Sequence, residues 1–137
     1  MLLRFGLSAT VCACLLLMSG CGGASSAALH GTVTLDGAPV TNGSIVFFPV
    51  AGEGPKASAA IEDGKYTIPA EEGLQPGVYR VEVSWHKSTG RKIPSADPGI
   101  MMDETKEAIP ARFNTDSTLT AELTAGQAQK DFALTTK

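Results

Sequence analysis

Cysteine is absent from the whole chain after residue 21. Of the three cysteines, Cys12 and Cys14 sit inside an N-terminal apolar run and Cys21 follows directly after it. Removal of residues 1–20 would leave Cys21 alone, which excludes an internal disulfide and a Cys-ligated zinc or iron–sulfur centre. Basic residues are also few. Without residues 1–20 the chain carries 10 Lys and Arg against 14 Asp and Glu, a formal charge of −4. That balance argues against nucleic acid or an anionic lipid surface as an electrostatic partner. The apolar run, Phe5 to Leu17, is shorter than the ~20 residues that span a bilayer. Histidine occurs only at His30 and His86, and no glycine-rich loop leads into a helix to cradle phosphate.

What is present begins with a secretory signal. Arg4 supplies the positive start, Phe5 to Leu17 the apolar stretch, and Ser19-Gly20 the small residues before Cys21. Leu15-Leu16-Leu17-Met18-Ser19-Gly20-Cys21 resembles a bacterial lipobox, with Met18 where leucine is usual. The resemblance implies that residues 1–20 are a lipoprotein signal peptide and that Cys21 carries lipid. An ordinary cleaved signal or a short anchor is the alternative. Gly22, where many lipoproteins retained at the inner membrane have aspartate, favours a lipid-anchored place in the cell envelope at the outer membrane. Gly22 to Ala28 (GGASSAA) has nothing to pack, so residues 21–28 read as a lipidated flexible tether. Its root-mean-square reach is roughly 15 Å.

Residues 29–137 read as one all-β domain. From Leu29 the chain alternates apolar and polar residues, the signature of half-buried strands. Leu29, Gly31, Val33 and Leu35 share one face. Asp36-Gly37, Asn42-Gly43 and Asp63-Gly64 are turn signals. Strands are expected over Ser44–Val50, Ala57–Glu62, Lys65–Pro69 and Val78–His86, with two more near Leu119–Leu123 and Phe132–Leu134. The expected core is Val33, Ile45, Phe47, Ile61, Tyr66, Ile68, Tyr79, Val81, Val83, Leu119, Leu123, Phe132 and Leu134. Lys87 to Asp116 breaks the pattern and reads as a long loop at 87–116 with a short helix from Gly99 to about Ala108, begun after Pro98 and stopped by Pro110. About seven strands with Gly and Pro turns predict an antiparallel β-sandwich; a closed barrel is the alternative.

The order of the motifs carries a second resemblance. Gly31-Thr-Val33, Asp36-Gly37-Ala-Pro39-Val40-Thr-Asn42-Gly43, Asp63-Gly64-Lys65-Tyr66-Thr-Ile68 and Leu74-Gln-Pro76-Gly77-Val78-Tyr79-Arg80-Val81 together resemble the carboxypeptidase regulatory-like domain. This is a small sandwich of the transthyretin (prealbumin-like) type. Ile109 to Asn114, Ser117 to Leu119 and Asp131 to Leu134 resemble the C-terminal part of small lipoproteins of planctomycete-type bacteria. The hydroxyisourate hydrolases of the transthyretin fold have several histidines and a Tyr-Arg-Gly-Ser terminus, whereas this chain ends Leu134-Thr135-Thr136-Lys137.

Candidate chemistry is sparse. His30 and His86 fall on outward faces, and no nucleophile elbow flanks Ser58, Ser84 or Ser88. Asp97, Asp103, Glu104, Glu107 and Asp116 offer oxygen ligands, but their spacing matches no calcium loop. Arg91, Lys92, Lys106 and Arg112 offset their charge, and a solvated Asp103/Lys106 helix pair is the plainer reading. Trp85, the sole tryptophan, either joins the core or offers a stacking platform. Arg112 and Asn114 form a candidate polar contact pair, with Ile109 and Phe113 pinning the loop. The residues thus point to a non-enzymatic, lipid-anchored structural or protein-interaction module without a cofactor. Its partners would be the membrane, through lipid on Cys21, and an envelope protein or glycan. The competing reading is a small-ligand or carbohydrate-binding lipoprotein using the 87–116 loop, with Trp85, Arg112 and Asn114 as candidate ligand contacts.

Overall fold

The computed structural model describes residues 27–52 and 54–137. The expected signal peptide, Cys21 and most of the tether lie outside these residues. Among them the domain is all-β, as expected, with no α-helix and only two short 3-10 turns.

Alternation produces the first strands directly. In β1 (Leu29–Leu35) Leu29, Val33 and Leu35 are buried while His30 and Thr32 face solvent. Gly31 occupies the remaining inward position. A Cβ there would stand 1.8 Å from the Lys130 carbonyl oxygen, which accepts the Tyr66 hydroxyl at 2.6 Å. A bare backbone is therefore needed for the C-terminal segment to lie so close along β1. Asp36 and Gly37 both take positive φ, as the tight turn to β2 (Ala38–Pro39) requires. Asp63-Gly64 does the same between β4 (Ala57–Glu62) and β5 (Lys65–Ile68). Asn42-Gly43 is not a turn, contrary to expectation. Both residues lie inside β3 (Asn42–Pro49), where Gly43 pairs with Ile61 and Trp85. Its lack of a side chain serves close approach, since a Cβ would meet the Ser84 carbonyl oxygen at 2.4 Å.

The spine is β6 (Gly77–Pro94), which pairs antiparallel with β3 on one edge. On the other it meets β8 (Thr120–Leu123) at its start and β7 (Met101–Glu107) at its end. β9 (Phe132–Leu134) pairs parallel with β1. The path runs β9-β1-β5-β4-β3-β6-β8, so the last two strands in sequence lie at opposite ends of one sheet. A connection of eight residues joins them, which requires the sheet to curl into a half-barrel. Phe47, fully buried, sits at its centre within 6.0–6.2 Å of the rings of Tyr66, Tyr79 and Phe132. Every expected core residue is buried except Leu119, which is partly so; Val40, Leu74 and Ile109 join them.

The main departure is at 87–116. The expected loop and helix are replaced by a β-hairpin. β6 runs on through the first part and β7 returns, with His86 opposite Glu107 and Pro94 opposite Met101. Asp103 accordingly pairs across the strands with Lys92 at 2.7 Å and not along a helix with Lys106. No side chain from His86 to Ala108 is buried. The hairpin is an arm, projecting nine residues past Trp85 for roughly 30 Å.

Strand directions fix its orientation. Leu29 stands opposite Ile68, and with Ala27 it lines a small crevice beside Pro76 and Leu123, where β6 begins. The chain therefore joins the sheet at one end of β6, and the arm leaves from the other.

Truncating Phe47 to Ala in residues 29–137 is expected to cost about 3–5 kcal/mol in urea unfolding. Gly31→Ala is expected to cost at least as much, because the Lys130 backbone must move.

Candidate functional site

The arm is set on the domain through an unusual edge. Between Val81 and Trp85 no strand among the described residues covers the β8/β7 side of β6; side-chain and backbone groups from the end of β7 and the segment after it take the strand's place. The Val81 amide donates to the Leu119 carbonyl at 2.8 Å, and the Val81 carbonyl accepts the Ser117 hydroxyl. The Val83 carbonyl accepts Asn114 Nδ2 at 2.8 Å. The Trp85 amide donates to Glu107 Oε1 at 2.8 Å, and its carbonyl accepts the Ala108 amide at 2.8 Å. Buried backbone polar groups need such partners.

Glu107 is the hub. Oε1 also accepts the Ile109 amide at 2.9 Å, while Oε2 accepts the Ser84 hydroxyl at 2.5 Å and Asn114 Nδ2 at 3.1 Å. Burial opposes ionisation of this carboxylate. The Ser84 hydroxyl, the two amides and neighbouring His86 outweigh it and hold Glu107 below the ordinary carboxylate range.

The three residues singled out as ligand contacts are all engaged. Trp85 is 7% exposed and packs in the core, with Lys87 Nζ 4.6 Å from its ring centroid, so it offers no open stacking face. Asn114 meets Trp85's backbone partner Glu107, as above. Arg112 lies apart from them, donating to the carbonyls of Thr135 and Lys137 and resting 4.8 Å over the Phe113 ring. Ile109 is buried and Phe113 packs on the core, so both pin this segment as expected. Glu107 itself escaped sequence reasoning, where it was only one of five acidic residues. Its signal is faint: a carboxylate directly before the apolar Ala108-Ile109 that returns the chain to the core.

Ser84, His86 and Glu107 stand together on the outer face without the geometry of a catalytic relay. Nδ1 of His86 faces both Ser84 Oγ (3.4 Å) and Glu107 Oε2 (3.8 Å). A relay needs the acid on one imidazole nitrogen and the nucleophile on the other. His30 lines a shallow outer depression of about 330 Å³ with Thr32, Lys65, Thr67 and Gln129. Among the described residues no three His, Cys, Asp or Glu converge on a metal position, and no helix is long and apolar enough to cross a membrane.

The arm's outer part has another character. Lys92 pairs with Asp103, and Arg91 approaches Glu104 at 3.7 Å. At the tip Ile100, Met101 and Met102 are each 50–55% exposed. Set against known proteins, the chain matches no family model, no curated protein and no solved structure.

The depressed Glu107 carboxyl supplies stability that is full above its unfolded value, about 4.3, and is lost as pH falls through the lower folded value. Glu107→Gln turns an amide donor towards groups that themselves donate, and is expected to cost about 1–3 kcal/mol at pH 7. In urea unfolding followed by Trp85 fluorescence, the gap between wild type and variant should be constant above pH 6 and narrow below pH ~4.

Proposed function

We propose that this chain is a non-enzymatic, lipid-anchored module of the cell envelope that engages another envelope component through the β6–β7 arm. The arm's geometry carries the reading. A two-stranded ribbon that buries none of its side chains adds little to the core, and an isolated hairpin is marginally stable in water. Its tip nevertheless exposes three consecutive large apolar residues, Ile100, Met101 and Met102. Exposed apolar groups concentrated at a projection suit a recognition role.

The lipobox-like sequence before Cys21 supports the anchor, and Gly22 favours the outer membrane. In this reading the tether joins the domain where β6 begins and the arm points away from the anchoring bilayer. A partner would be an envelope protein or a glycan, and the acidic charge balance argues against nucleic acid. The ordered turn motifs support identifying the curled sheet with a carboxypeptidase regulatory-like, transthyretin-type sandwich, whose two layers would be the two halves of the curl. The small-ligand reading is weaker, because Trp85, Arg112 and Asn114 spend their contacts inside the domain.

Lys87 and Lys106 face each other across the arm, so Ser88–Thr105 can be replaced by Asn-Gly as a two-residue hairpin turn. The trimmed protein should unfold within about 1 kcal/mol of wild type yet lose its crosslinks in native envelope; unchanged crosslinks would exclude the arm. An alkyne fatty acid should label wild type but not Cys21→Ser.

A further inference from the structure

The arm has two edges, and only one is open to another strand. On β6 the register shifts between Ser88 and Lys92, leaving Thr89, Gly90 and Arg91 opposite Glu104, with Gly90 at φ +80°. A bulge of this kind twists an edge away from pairing. β7 is regular, seven residues long and free of proline. Its even-numbered neighbourhood turns inward: the Ala108 amide reaches Trp85, the Glu104 carbonyl takes the Thr89 hydroxyl and the Ile100 carbonyl takes the Ser95 amide. By alternation, the backbone groups of Met101, Asp103, Thr105 and Glu107 point outward.

The side chains beside that edge say what would fit. Directly opposed residues share a face, so Met102 lies with Ile93, and Lys106 with Lys87, on the side continuing from the core. Like charges directly opposite one another are unfavourable. Among the described residues neither Lys87 nor Lys106 makes an ion pair, whereas Lys92 and Arg91 both have acidic neighbours. The edge thus offers outward backbone groups, an apolar contact at Met102 and an unbalanced positive pair four residues away.

We propose that the β7 edge accepts an extended, acidic segment of a partner polypeptide by strand addition. The incoming strand runs antiparallel, with an acidic residue opposite Lys106 and an apolar residue opposite Met102, four positions later. A second copy of this chain fits poorly. Symmetric pairing centred on 103, 104 or 105 sets Asp103 on Asp103, Glu104 on Glu104 or Asp103 on Glu107. This inference deepens the arm reading and rests on it.

The test uses a fluorescein-labelled peptide, Thr-Glu-Val-Thr-Val-Ile-Thr, and anisotropy titration of the protein. Saturable binding with Kd at or below about 1 mM is expected. Thr105→Pro removes an outward N–H that the hairpin does not use, and should weaken binding at least ~10-fold, while Thr105→Ala changes little. Should the proline variant misfold, methylating the peptide nitrogens of its third and fifth residues tests the same bonds with the protein intact. Lys106→Glu should weaken the Glu peptide about fivefold and favour a Lys-substituted peptide. No binding to wild type, undiminished binding of the methylated peptide, or indifference to the charge swap would each overturn the proposal. So would dimerisation of the protein alone that Thr105→Pro abolishes. Envelope crosslinks that vanish on trimming the arm but persist in Thr105→Pro would refute strand addition and leave the arm reading standing; crosslinks that survive trimming refute that reading itself.

Discussion

The structure depends on how the outer edge of β6 is satisfied between Val81 and Trp85. β3 serves the opposite edge along this stretch, and β8 and β7 serve the two ends of the outer one. In the gap the chain leaves the sheet, and the Ser117 hydroxyl, the Asn114 amide and the Glu107 carboxylate bind the exposed backbone. Side chains are less regular than a strand, but they can satisfy backbone groups of either polarity at chosen points. The arrangement also lets Ile109 and Phe113 close over the core while the chain passes outside it.

That edge couples core to arm. Trp85 is the last buried residue of β6, and both of its backbone groups are held by the returning chain, at Glu107 and Ala108. Glu107 belongs at once to the end of β7, the outer face at Ser84 and the segment behind it at Ile109 and Asn114. The arm buries none of its side chains, and it is held at its root, where one carboxylate gathers four donors.

Much of this could be read from the residues, and the exceptions share a cause. Alternation located β1, β3, β4, β5 and the first half of β6, because each buries one face and the other meets water. The same alternation runs through Tyr79, Val81, Val83 and Trp85, and the burial of all four decides for the core reading of Trp85. The arm buries neither face, so its strands carry no period-two apolar signal, and Pro98, Pro110 and a cluster of acidic residues imitate helix boundaries. The same charges serve a hairpin as cross-strand pairs, Lys92 with Asp103 and Arg91 with Glu104. Asn42-Gly43 misled for a related reason: its glycine answers to the nearby Ser84 carbonyl, a tertiary contact invisible to local turn chemistry. The edge-filling roles of Glu107, Asn114 and Ser117 were equally hidden, since they exist only once β6 lies beside them.

The polarity of the fold gives the arm its meaning. An open strand edge is an aggregation hazard that domains usually blunt on both sides. Here the blunting is one-sided: β6 is bulged, while β7 keeps its regular backbone and a lysine that makes no ion pair among the described residues. The contour of β6 from Gly77 to Pro94 is about 55 Å, so the arm's tip is far from where the chain joins the sheet. Under the lipid-anchored reading, the tether keeps the hazard away from the bilayer and from neighbouring copies' cores, and turned towards whatever lies across the compartment. Under that reading a purely structural hairpin gains nothing from the separation, whereas a strand offered to a partner is kept clear of the anchor.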